Sequence, residues 1–164
     1  MKERAAKRKP AKETLRANIK DYIQKQIASG VYRPGDRIVE EYAARLAADR
    51  ATPEQLAEMK RLLQETDANR DLDRFVHQDM DFHSLVMDAA GSAALKRAWS
   101  MLRMAEWTYL AAAVTRASLE EMIQQHWTIF HYLETRQPHS AGAYMYLHIK
   151  GFGEEVGQHF AEQE

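Results

Sequence analysis

Three stretches of the sequence place a side chain that can bind a metal ion on a helix face that is otherwise apolar. In residues 71–90, Asp79 and His83 lie four positions apart, so they share one face of a helix. His126 and His148 have the same kind of placement in two later stretches. The apolar residues of the three stripes are Leu72, Val76, Val86 and Ala90; Leu119, Met122, Ile129 and Leu133; and Ala141, Met145 and Phe152.

The carboxylate among these four side chains is costly to bury without a compensating charge. Burying an isolated carboxylate costs several kcal/mol, whereas a divalent cation neutralises it and imidazoles are common partners of such an ion. The chain has no cysteine, so a metal ion would be held by His, Asp or Glu. The pattern therefore indicates one metal site built from Asp79, His83, His126 and His148.

Spacing alone leaves a second interpretation open. A single histidine on an apolar stripe is more often a hydrogen-bonded core residue than a ligand, and Asp79 could instead pair with Arg103. The remaining histidines fall outside the stripes and are interpreted as surface or ordinary packing residues: His77, His131, His139 and His159.

Helices must position these side chains, because almost the whole chain after Pro10 has helical patterns. Residues 52–55 and 118–121 have the sequence of a capping box, and Gly91 with Ser92 predicts a helix stop followed by a new start. No stretch alternates apolar and polar residues as a half-buried strand does. The predicted helices cover 12–29, 38–50, 53–66, 71–90, 92–116, 118–136 and 138–150, with a frayed or bent continuation after Gly151. Short connections between them predict an all-α, antiparallel helical bundle.

Charge divides the chain into two parts. Residues 1–50 carry 13 Lys or Arg against 7 Asp or Glu, whereas residues 51–164 carry 10 against 17. The asymmetry predicts a basic N-terminal part suited to a polyanion, although a solubilising tail has the same composition. No apolar run approaches the roughly 20 residues of a membrane span, and the basic start lacks the apolar segment of a secretory signal. We therefore expect a soluble, cytoplasmic protein without a membrane partner.

Two adjoining segments resemble the effector domain of FadR-type GntR regulators, called the FCD domain. They read ARLAADRATPEQLAEMKRLLQE and DLDRFVHQDMDFHSLVMDAAGSAAL. That family has an Asp-x-x-x-His motif and two later histidines, which are matched in order and spacing by residues 79–83 and by the segments QQHWTIFHYLE and AGAYMYLHI. The resemblance covers roughly residues 42–155. Ser92 departs from it, since the family usually has Asn there.

The resemblance implies that the four metal-capable residues bind one divalent ion inside the helical bundle. Zinc or nickel is the expected ion, and manganese is a further candidate. Four protein ligands leave one or two positions open on a five- or six-coordinate ion, where the carboxylate of a small organic acid can replace water. Arg97 and Arg103 are the expected contacts for the rest of this effector.

Residues 12–41 resemble the opening of the GntR winged helix-turn-helix, because a first helix is followed by the segment GVYRPGDRIVE. The recognition helix and wing that follow in the family are missing here, which we interpret as an internal deletion. The predicted domains are a basic arm with a winged-helix remnant at 1–41 and a metal- and effector-binding bundle at 42–164. The residues expected to contact DNA, weakly and without sequence preference, are Lys7, Arg8, Lys9 and Arg37.

Three functions fit these features. The first is a transcriptional regulator, expected to be a homodimer, that senses a small acid through a metal ion and is impaired in operator binding. The second is a metal-dependent hydrolase, since an ion with an open position can activate water. The sequence has no HExxH motif and no Glu-x-x-His pair to support that chemistry. The third is a dimerisation module that sequesters full-length paralogues. We expect the regulator, and not an enzyme.

Overall fold

Six α-helices follow one another in the part of the chain that the structure describes. The computed structural model describes residues 36–69, 71–101 and 118–161, and for 36–38 and 152–161 it describes the helical backbone alone. These residues lie in one compact unit, Gly35–Glu164. The helices are α1 (Asp36–Arg50), α2 (Pro53–Ala68), α3 (Leu72–Ala89), α4 (Ala93–Met101), α5 (Leu119–Glu134) and α6 (Pro138–Ala161).

The all-helical prediction is confirmed, since no strand occurs within the described ranges. The predicted helix at 12–29 and the second half of the one at 92–116 lie outside them. None of the described helices combines the length and apolar character that a membrane span requires. The predicted division of the chain between residues 41 and 42 stays a prediction, and α1 runs through that point without interruption.

Two helices begin at the capping boxes that the sequence predicts. The Thr52 hydroxyl accepts a hydrogen bond from the Gln55 backbone N–H, and the Gln55 side chain accepts one from the Thr52 N–H. Ser118 and Glu121 make the same reciprocal pair at the start of α5. Each box gives two otherwise unpaired amide groups a partner, so α2 and α5 begin at fixed residues.

The break between α3 and α4 also follows the prediction. Gly91 takes a positive φ of 65°, which a glycine adopts without steric cost. The Ser92 hydroxyl then accepts from the Leu95 N–H at 3.3 Å and starts α4. The change of direction at Gly91 brings Trp99, on α4, back towards α1, where it is buried with Ala43 and Met87.

Packing is centred on α1, which contacts α3, α4, α5 and α6 and packs most extensively against α6. Four alanines of α1, Ala43, Ala44, Ala47 and Ala48, are completely buried. The neighbouring helices can therefore approach α1 closely. The core that they form includes Met59 of α2, Phe82 and Val86 of α3, Ile129 and Leu133 of α5, and Met145 of α6.

Arg45 crosses α6 at Gly142. Its guanidinium pairs with Glu41 at 2.7 Å on its own helix. A Cβ atom at position 142 would lie 2.5 Å from Arg45 Cγ, so this crossing requires glycine on α6 unless the arginine moves.

The last helix is longer than the sequence predicts. We expected a frayed or bent continuation after Gly151, but α6 is one α-helix to Ala161. A glycine costs a helix roughly 1 kcal/mol relative to alanine, which weakens a helix without ending it. The helical backbone therefore passes through Gly151.

Arg136 joins the α5–α6 turn to the end of α1. It has a positive φ of 56°, and its guanidinium donates to the carbonyls of Ala48 at 3.0 Å and Ala51 at 2.7 Å. These carbonyls have no amide partner within α1 because they lie at its C-terminal end, so the cation satisfies them and complements the helix dipole.

We predict that Arg136→Ala lowers the free energy of unfolding by about 2 kcal/mol, because two charge-assisted hydrogen bonds are lost. Arg61→Ala is the matched control, since its ion pairs with Glu58 and Glu65 are exposed on one helix and contribute little to stability. Urea unfolding followed by circular dichroism measures both values. Equal losses in the two variants would contradict the role of Arg136.

Candidate metal centre

Asp79, His83, His126 and His148 come together in the interior between α3, α5 and α6. Each offers a ligand atom, and these atoms all lie within 4.8 Å of one another. All four side chains are buried, with exposed fractions between 2% and 6%. The four residues are therefore close enough to bind one metal ion.

The stripes that predicted this cluster are largely confirmed. The stripe residues that are buried are Val76, Val86, Ala90, Met122, Ile129, Leu133, Ala141 and Met145. Leu119 is half-buried, and the side chain of Phe152 lies outside the described part. Leu72 is 44% exposed, because it is the first residue of α3 and lies at the edge of the bundle. His77, His131 and His139 are exposed, as expected, and the side chain of His159 is outside the described part.

Within the cluster, His126 Nε2 and Asp79 Oδ1 lie 2.9 Å apart. Among the described residues, His126 Nε2 and His83 Nδ1 are buried nitrogens without a hydrogen bond of good geometry. Two neighbouring ligands of a six-coordinate ion with bonds of about 2.1 Å lie about 3 Å apart. The 2.9 Å spacing is therefore compatible with two atoms that share an ion.

The outer nitrogen of each imidazole faces a group that can accept its proton. His126 Nδ1 lies 2.8 Å from the Met122 carbonyl oxygen, and His148 Nδ1 lies 2.7 Å from Gln125 Oε1. His83 Nδ1 lies 3.2 Å from Glu40 Oε1. When Nδ1 carries the proton, the lone pair is on Nε2, which is the form of histidine that binds a metal ion. All three rings are thus arranged to present Nε2 to the cluster.

Glu40 and Gln125 are the site residues that the sequence interpretation missed. Glu40 is only 2% exposed, and its Oε1 also accepts a hydrogen bond from Trp99 Nε1 at 2.6 Å. One sequence signal would have found it, since Glu40 extends the buried face of Ala44 and Ala47 by one helical turn. Gln125 is half-buried beside His126 and has no such signal in its spacing.

Charge and burial act together on the titrating groups of the cluster. Burial raises the pKa of Asp79, but the imidazoles of His126, His83 and His148 outweigh it and hold that pKa well below its usual range. Burial lowers the pKa of His83, whereas the Glu40 and Asp79 carboxylates raise it, to about 9. Burial and the two neighbouring imidazoles keep the pKa of His148 well below its usual value. The cluster therefore offers a cation a charged carboxylate and a neutral imidazole.

Aromatic side chains close the cluster on one side. Phe75 and Phe82 meet the ring of His126 edge-on, with centroid distances of 5.9 and 5.1 Å. The space that these rings share with Leu63, Thr66 and Gln78 is too narrow for a water molecule. Side chains of α2 and α3 therefore pack closely around Asp79 and His126 on this side.

The other predicted site residues are not part of this cluster in the described structure. Arg97 is exposed on α4. Arg37 lies in the first turn of α1, where only the backbone is described. Lys7, Arg8, Lys9 and Arg103 lie outside the described residues. Their proposed contacts with effector and DNA stay predictions.

The FCD domain family model matches residues 37–151 of the chain. The match begins at the second residue of α1, earlier than residue 42, where the sequence resemblance was thought to begin. It includes all four cluster residues and Glu40. A comparison with curated proteins gives no match.

We predict that the purified protein holds one divalent ion per chain and that His126→Ala and His148→Ala each abolish this stoichiometry. Removing an imidazole leaves three ligands and an opened interior, so affinity falls steeply. His131→Ala is the control, since His131 is exposed on the same helix as His126. Elemental analysis after gel filtration measures the metal content, and full retention in both cluster variants would overturn the assignment.

Proposed function

The chain belongs to the FCD domain family, whose members are effector-binding domains of GntR-type regulators, and we propose that it senses a small carboxylate through a divalent ion. The ion is held by Asp79, His83, His126 and His148. The FadR-type subfamily, the homodimer and the cytoplasmic location are part of this proposal.

The observation that carries the proposal is the common orientation of the three histidines. Each ring has Nδ1 beside an acceptor, namely a backbone carbonyl, an amide oxygen or the Glu40 carboxylate. Histidines that only fill the core have no reason to direct their Nε2 atoms to one place. Here three rings from three helices direct Nε2 towards the same carboxylate, that of Asp79, which is typical of a metal centre.

Charge supports the same proposal. Asp79 and Glu40 are two carboxylates with exposed fractions of 6% and 2%. The described part of the bundle buries no lysine or arginine side chain with them. With three neutral imidazoles, a divalent ion would bring the formal charge of this region to zero, whereas a protonated His83 alone offsets only one of the two anions.

The chemistry of the ligand set defines what the ion can do. Nitrogen and oxygen ligands suit zinc, nickel or manganese, and four of them leave positions for a further oxygen ligand. The ion supplies Lewis acidity at that position, and a carboxylate effector would occupy it in place of water. Arg97 and Arg103 remain the proposed contacts for other parts of the effector. A regulator is preferred to a hydrolase because the family consists of regulators.

We predict that a carboxylate effector stabilises the metal-loaded protein and leaves the apoprotein unchanged. At about 100 times its dissociation constant, such a ligand adds roughly 2.7 kcal/mol to the free energy of unfolding by mass action. A thermal-shift screen of mono- and dicarboxylic acids, run with and without chelator, tests this. Hits that persist unchanged after metal removal would show that the effector binds elsewhere.

We also predict weak DNA binding without sequence preference. Residues 1–35 carry a basic excess that can meet phosphates, but phosphate contacts do not specify sequence. Competition binding at physiological salt, with an upstream operator fragment against random duplex of equal length, measures the preference. A preference of about a thousandfold, as specific readers have, would contradict the proposed loss of the recognition helix.

A further inference from the structure

We propose that Glu40 is a positioning residue of the metal centre and that it transmits ion binding at His83 to α1. This inference rests on the proposed function, because it assumes an ion at the four-residue cluster. It adds a regulatory contact that lies outside the ligand set.

The carboxylate of Glu40 joins three helices through a single oxygen. Oε1 accepts from Trp99 Nε1 of α4 at 2.6 Å and lies 3.2 Å from His83 Nδ1 of α3, while Glu40 itself belongs to α1. The second oxygen, Oε2, is buried and has no hydrogen-bond partner within the described residues. The contact with His83 therefore connects the ligand set directly to α1.

Packing alone does not explain a carboxylate at this position. A glutamine has nearly the same volume and can accept the Trp99 hydrogen bond without burying a charge. What a carboxylate adds is a negative charge 3.2 Å from His83 Nδ1, which favours a proton on that nitrogen and makes Nε2 a better ligand. The negative charge is compensated when a cation occupies the cluster.

The inward face of α1 makes this contact sensitive to small movements. Four completely buried alanines bring the backbone of α1 close to its neighbours, so a shift of one helix is passed on to the next. When the ion binds and His83 changes position, Glu40 moves with it. Glu40 lies one turn before Ala43 and Ala44, so the movement reaches α1. The start of α1 is also the point where residues 1–35, with their basic excess, join the bundle.

Metal affinity is the first test. We expect Glu40→Gln to raise the dissociation constant for Co²⁺ by 10- to 100-fold, the usual effect of removing a group that orients a metal-binding histidine. The visible absorption bands of the bound Co²⁺ should shift as well, because the ligand field of His83 changes. Glu41→Gln is the matched control, since Glu41 lies next in sequence and pairs with Arg45. It should leave both readouts unchanged.

Backbone hydrogen exchange is the second test, because it follows α1 itself. Zn²⁺ should slow exchange at residues 37–44 in the wild type and in Glu41→Gln. The slowing should be lost in Glu40→Gln even at saturating Zn²⁺. Equal slowing in all three proteins would show that the ion acts on α1 without Glu40, and the proposal would be wrong.

The outcomes separate this inference from the metal centre itself. If His126→Ala binds Co²⁺ like the wild type, the ligand assignment fails. If His126→Ala loses Co²⁺ but Glu40→Gln keeps the wild-type dissociation constant and spectrum, only the role of Glu40 fails. Should Glu40→Gln not fold, Glu40→Asp replaces it, because it keeps the charge and withdraws the oxygens by about 1.5 Å. It should weaken Co²⁺ binding, and wild-type binding in that variant would overturn the proposal.

Discussion

The bundle encloses two carboxylates, Asp79 and Glu40, in an interior that otherwise consists mainly of apolar side chains. A buried anion needs either a positive charge or several hydrogen bonds beside it. The groups that provide them fix the positions of the helices to which they belong. Three imidazoles from α3, α5 and α6 surround Asp79, while Trp99 and His83 approach Glu40. The relative positions of five of the six described helices thus depend on how these two charges are accommodated.

The polar contacts of this interior form two layers. The inner layer consists of the atoms that face the cluster, and the outer layer consists of the groups that fix each ring: the Met122 carbonyl, the Gln125 amide and the Glu40 carboxylate. Apolar packing brings the helices together but leaves ring rotation free. The outer layer removes that freedom, so an ion finds its nitrogen ligands already oriented and loses less entropy on binding.

The inner layer could be predicted from the sequence, because helical periodicity places Asp79, His83, His126 and His148 on buried faces. The capping boxes and the stop at Gly91 could also be predicted, since each depends on residues within one turn. The outer layer depends on contacts between distant elements. Glu40 was assigned to a winged-helix remnant by local resemblance, and only the packing of α1 against α3 and α4 reveals its contact with His83. The full length of α6 was underestimated because Gly151 weakens a helix locally, while its continuation is decided by the rest of the helix.

The crossing of Arg45 over Gly142 has a consequence for how sequences of this kind diverge. A methyl group on α6 at that point would collide with the arginine stem, so alanine at 142 is compatible only with a smaller or re-oriented side chain at 45. The two positions are far apart in the chain but behave as one unit under mutation. Among homologues, positions 45 and 142 should therefore change together. The residue pair found there would indicate how closely α1 and α6 pack in each protein.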